Sequence, residues 1–128
     1  MSDTLDPGLF ATGSFSVRIM DLSGGNGSDP VETIRGFQTL EHANGFARRY
    51  VRDSLERCRS KGMTAEQVVA TWFAFGEDAE VQGGSEGAWR SGPELRAFAE
   101  QPARDAEERD WRALDPRRGA DESGEDEE

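Results

Sequence analysis

Between Thr39 and Gly62 apolar residues recur every three or four positions, and this stretch constrains the fold more than any other. At about 100° per residue, Leu40, Ala43, Phe46, Ala47, Tyr50, Val51, Ser54, Leu55 and Cys58 fall on one side of a helix. Arg48, Arg49, Arg52 and Arg59 gather on the other side, with Glu41, Glu56 and His42. Thr39 is placed to cap the first turn and Glu41 to complement the helix dipole. Lys61 and Gly62 supply a basic last turn and a terminating glycine, so the helix is expected from Leu40 to about Ser60. So broad an apolar stripe needs a second surface to cover it, which implies a folded domain.

The strands come from a different period. Phe15, Val17 and Ile19 alternate with Ser16, Arg18 and Met20, the signature of a half-buried strand. Ser23 to Pro30 is dense in turn residues, and Glu32 to Phe37 is expected to return as the second strand of a hairpin. Beyond the long helix, Thr64 and Gln67 have capping-box spacing ahead of Val68, Val69, Trp72 and Phe73. A second helix to about Ala74 is therefore favoured, although Val69 to Phe75 also reads as a buried strand. Ala79 to Val81 is a candidate short third strand. Ser91 and Pro93 open another helix carrying Leu95 and Phe98. Residues 103–114 are expected to form a last, highly charged helix with Ala103, Ala106, Trp111 and Leu114 as its weak stripe.

Charge separates the two halves of the 128-residue chain. Residues 1–62 carry eight basic and eight acidic side chains, whereas residues 63–128 carry seven and eighteen, so the whole net charge of −11 lies in the second half. The block from Asp121 to Glu128 repels itself and is expected to solvate rather than pack. Residues 1–14 are read as a flexible lead-in, 15–114 as a single domain and 115–128 as a disordered acidic tail. Fourteen arginines against one lysine, with abundant alanine and glycine, hint at a GC-rich bacterial source. The single Cys58 fits a reducing compartment, and no apolar run reaches the length of a membrane span, so a cytoplasmic protein without membrane attachment is expected.

No residue set assembles a familiar chemistry. Gly24 to Asp29 matches G-G-x-G-x-D and resembles one turn of the RTX-type calcium-binding repeat. In that architecture tandem copies stack and share calcium, so a single copy between two strands reads as a hairpin loop. His42 is the only histidine and lies more than four helical turns from Cys58, which leaves no zinc site and no Cys–His pair. Neither metal nor cofactor is expected. Glu77, Asp78 and Glu80 are the acidic group that a small hydrolase would use if their carboxylates converged.

The fold expected is α+β: a two- or three-stranded antiparallel sheet packed on one long amphipathic helix and one or two short helices. Arg48, Arg49, Arg52 and Arg59 are the candidates for binding an anion or a partner, because guanidinium forks suit phosphates and carboxylates. Three uses of that face are open: a solvated surface pairing with Asp53 and Glu56, a partner site, or a dock for the acidic tail. Trp111 is a candidate anchor for another protein, or else the residue that packs the last helix. The leading reading is a non-enzymatic interaction or regulatory protein with a protein partner or self-association. The alternatives are a nucleic-acid-linked role, through the arginine face or through acidic mimicry of DNA, and a small carboxylate-dependent enzyme.

Overall fold

A computed structural model describes residues 15–118. The expectations for the lead-in at 1–14 and for most of the acidic tail fall outside the described residues. Strands β1 (Phe15–Asp21), β2 (Glu32–Phe37) and β3 (Glu77–Gln82) form an antiparallel sheet in the order β2-β1-β3. The helices are α1 (Leu40–Cys58), α2 (Ala65–Phe75) and α3 (Gly92–Glu100), followed by two single 3-10 turns at Ala106–Arg109 and Trp111–Leu114. This is the α+β arrangement expected, with three strands and one long helix.

The alternation in β1 does what its period dictates. Val17 and Ile19 are buried together with Ile34 and Phe37 of β2 and Ala79 and Val81 of β3. On β2 the two buried residues are three apart, which a strict two-residue repeat forbids. Gly36 resolves this: it takes φ +106°, and the register slips between Phe15 and Ser16, so that Phe15 faces Phe37 while Ser16 faces Arg35. A bulge of this kind turns Phe37 back toward the core, and its left-handed backbone favours glycine.

On the covered side of the sheet lies α1, with Ala43, Phe46, Ala47, Val51 and Leu55 fully buried. Thr39 caps it through its hydroxyl, which accepts from the His42 N–H at 3.0 Å. The helix stops at Cys58, two residues short of the expected end. Gly62, at φ +87°, serves the turn that follows rather than the helix terminus. The run 69–75 is helical, as the capping box favoured: the Thr64 N–H donates to the Gln67 side chain at 2.9 Å and the Gln67 N–H to the Thr64 hydroxyl at 3.1 Å. Val68 and Trp72 carry its buried side.

The last charged helix expected at 103–114 is not formed. Asp110, at φ −89° and ψ 74°, breaks it into two turns, and its carboxylate accepts from the Ala113 N–H at 3.3 Å to start the second. The Glu108 carboxylate folds back onto the N–H groups of Arg104 and Asp105, each at 3.2 Å. Aspartates spaced five apart each favour a fresh start over helix continuation, because their short carboxylates compete for backbone N–H groups. Asp115 repeats the device, accepting from the Arg117 N–H at 2.9 Å. Arg117 also reaches Glu32 on β2 at 2.6 Å, so the chain just past Leu114 is tied to the sheet rather than left with nothing to contact.

Candidate functional site

The arginine side of α1 is not an open face. Its helix is an inner element, with the sheet on one side and α3 plus the two 3-10 turns on the other. Expecting a solvated surface was wrong for Arg52, which is 7% exposed, and for Arg59, whose side chain is 19% exposed. The physical reason is local. Phe98 of α3 packs beneath the guanidinium groups of Arg48 and Arg52, 5.1 and 4.5 Å from its ring centre, and draws the following chain across the helix.

Each of the four arginines then finds a partner within the chain. Arg59 donates to the carbonyls of Phe98 and Ala99 at 3.0 and 2.9 Å, which caps the C-terminal end of α3 with positive charge. The same guanidinium grips Glu56 through two bonds of 2.8 and 3.0 Å. Arg52 donates to the Gln101 carbonyl at 2.6 Å and reaches Glu108 at 3.3 Å. Arg49 donates to the Asp110 carbonyl at 3.2 Å and Arg48 to Glu94 at 2.7 Å. Most of these partners are main-chain carbonyls of residues 98–110, a use of the arginines that none of the three sequence readings anticipated.

Trp111 packs inward. Its ring meets Tyr50 and Phe46 at 4.9 and 5.8 Å between centres, and its indole N–H donates to Asp53 at 3.2 Å. Asp53 also accepts from Arg109 at 2.8 Å, so this buried carboxylate holds both 3-10 turns against α1. His42, expected on an outer face, instead sets its ring edge-on to Phe37 at 4.9 Å and donates from Nε2 to the Leu114 carbonyl at 2.7 Å.

The acidic group of β3 does not converge. Glu80 pairs with Arg18 on the far face of the sheet at 2.7 Å. Asp78 lies along the free side of β3, in a groove of about 540 Å³ shared with Trp89, Arg90 and Ser91. Burial pushes its carboxyl up, an effect only partly offset by hydrogen bonds from the Ser91 hydroxyl and the Ala79 N–H. That use of its hydroxyl explains why Ser91 makes no side-chain cap on α3. Glu77 turns to the helix side, where Oε1 accepts from the Tyr50 hydroxyl at 2.6 Å. Asp78 and Glu80 share the outer face of β3 and line one groove, but Glu80 is engaged by Arg18 and Glu77 turns to the opposite face, so the three do not meet at one reacting group.

Around Glu77 a second groove, of about 490 Å³, runs between the C-terminal half of α1 and the α2–β3 corner. Tyr50, Cys58, Met63, Phe75, Glu77 and Trp111 supply its walls, with Asp53 and Arg57 at one side. Burial pushes the Cys58 thiol up, which disfavours a reactive thiolate. Burial, then the bond to Glu77, then the negative charges of Glu77 and Glu32 hold the Tyr50 hydroxyl far above the usual tyrosine range. Neither of these two groups is an activated nucleophile.

Phe73 and Phe75 are the residues whose placement the sequence concealed. They look like core aromatics next to Trp72, yet they are 55% and 73% exposed. Phe75 follows Val68 by seven residues and so shares its helical side, but it is the last residue of α2. Gly76 then turns the chain into β3. A Cβ there would collide with the buried Trp72 indole, lying 2.8 Å from its Nε1, so the corner admits only glycine without displacing the ring. The signal available in the sequence was position: two phenylalanines in the last three residues before a terminating glycine.

No helix among the described residues is long and apolar enough to cross a membrane. No family model, no curated protein and no solved structure matches this chain.

Proposed function

We propose that this protein is a non-enzymatic interaction module that engages a protein partner through the end of α2. The observation that carries the reading is the solvent-facing Phe75 ring, itself a wall of the groove formed with Tyr50, Met63 and Trp111, together with the exposed Phe73 two residues before it. The two rings are 55% and 73% exposed, which leaves roughly 1–2 kcal/mol each to be gained on burial. Exposed aromatics next to a concave surface are typical anchors of protein interfaces. The carboxylate-dependent enzyme draws less support, because Glu77 lies on the opposite face from Asp78 and Glu80, and Glu80 is held by Arg18. A nucleic-acid role through the arginines would require residues 98–110 to leave α1.

The test compares wild type with a Phe73→Ala, Phe75→Ala double variant. Both positions are exposed, so the fold is expected to survive, with an unchanged far-ultraviolet circular dichroism spectrum. Gel filtration with light scattering reads self-association, and affinity capture from the native host reads other partners. The expected result is a stoichiometric complex with wild type that the variant loses. Identical behaviour of the two proteins in both measurements would remove the proposal.

A further inference from the structure

Resting on that reading, we infer that the groove beside Phe75 receives an arginine side chain of the partner, paired with Glu77 and stacked on the Phe75 ring.

Glu77 is half-buried, and its only side-chain bond is the one accepted from the neutral Tyr50 hydroxyl. Among the described residues no cation lies within ion-pair distance of it. Other acids around the groove are already matched: Asp53 by Arg57 and Arg109, and Glu32 by Arg117. A half-buried carboxylate without a counter-charge favours a positive occupant.

Phe75 supplies the second half of the recognition. Phe75 lies two residues before Glu77, both line the groove, and Gly76 between them has no side chain to separate the two. A planar guanidinium can donate to a carboxylate and lie on an aromatic face at the same time, whereas an ammonium offers neither fork nor plane. Arg57, in the same wall, is drawn aside to Asp53 at 3.2 Å and leaves Glu77 unpaired. The chain's net charge of −11 attracts a basic partner from a distance.

The experiment is a titration of the isotope-labelled full chain, followed by amide and indole NMR shifts. The two probes are Ac-Leu-Arg-Leu-NH2 and the same peptide with citrulline, which keeps the shape and removes the charge. With the arginine peptide, shifts are expected at Gly76, Glu77 and the Trp111 indole N–H. Affinity for citrulline should be at least about tenfold lower, in line with loss of a charge-assisted bond. Glu77→Gln, which can still accept from Tyr50, should erase the difference between the peptides, and Phe75→Ala should weaken the arginine peptide alone. Equal affinities, shifts confined to another surface, or no shifts at millimolar peptide would each overturn the inference. If the double variant at Phe73 and Phe75 nonetheless loses its partner, the interaction reading stands and only the arginine assignment fails.

Discussion

Replacing Asp53 with asparagine should release the two 3-10 turns from α1 before it unfolds the sheet. The Asp53 side chain is 11% exposed, accepts from Arg109 at 2.8 Å and from the Trp111 indole at 3.2 Å, and is ion-paired with Arg57 at 3.2 Å. Arg57 is 62% exposed and lies one helical turn away, so its share is a few tenths of a kcal/mol at about the level of any surface pair. Arg109 is 38% exposed, which discounts a charge-assisted bond to about 1–1.5 kcal/mol. The half-buried indole N–H adds about 1 kcal/mol, and an asparagine amide turned toward either donor replaces attraction with repulsion. The expected loss is therefore about 2–3 kcal/mol, concentrated on residues 103–114. Urea unfolding gives the total, and hydrogen exchange by mass spectrometry gives its location. Peptides from 103–114 should exchange roughly 30- to 150-fold faster, while β1 peptides change far less. A loss under about 0.5 kcal/mol, or acceleration spread evenly over the chain, would refute the assignment of Asp53 as the clamp.

Three further outcomes follow from the same contacts. Gly76→Ala should cost about 2–3 kcal/mol, since the new methyl meets the fully buried Trp72 ring at a backbone angle that alanine tolerates. Urea midpoints and a shifted tryptophan emission would report it, and a neutral result would mean the corner yields. Asp78→Asn should leave stability at neutral pH unchanged or raised, because the folded state holds this carboxyl above its ordinary value. Ionisation of Asp78 therefore costs stability above that folded value, and the variant's advantage should vanish at pH values where the carboxyl is protonated in both states. Thermal melts from neutral to acid pH check the sign. At Glu56, burial alone would raise the carboxyl, but bonds from Arg59 and the Ala103 N–H together with the nearby arginines lower it. Its contribution is complete above the ordinary glutamate range and is lost as pH falls through the depressed folded value. Glu56→Gln should flatten the acid limb of the stability curve, and an unchanged limb would count against the pairing.

Elements with a strong period or a paired cap could be read from the residues alone. The stripe of α1, the alternation of β1 and the Thr64–Gln67 box each specify a backbone conformation through contacts within a few residues. What could not be read was how many sides of α1 are covered. Helical spacing distinguishes apolar from charged sides, but it does not distinguish water from a strip of main-chain carbonyls as the partner of Arg52 or Arg59. Trp111 and His42 were misjudged or left open for the same reason, since their partners lie 58 and 72 residues away. Phe73 and Phe75 show the opposite limit: hydrophobicity alone reads as core, while the end of α2 leaves both outside.

The grip of Arg49, Arg52 and Arg59 on backbone oxygens has an evolutionary corollary. A carbonyl belongs to every residue type, so the strip from Phe98 to Asp110 can exchange many of its side chains without losing these bonds. The guanidinium groups enjoy no such latitude, because lysine cannot span two neighbouring acceptors with one flat head. Across related sequences, drift should therefore concentrate on the strip that is held, while the three arginines that hold it stay fixed.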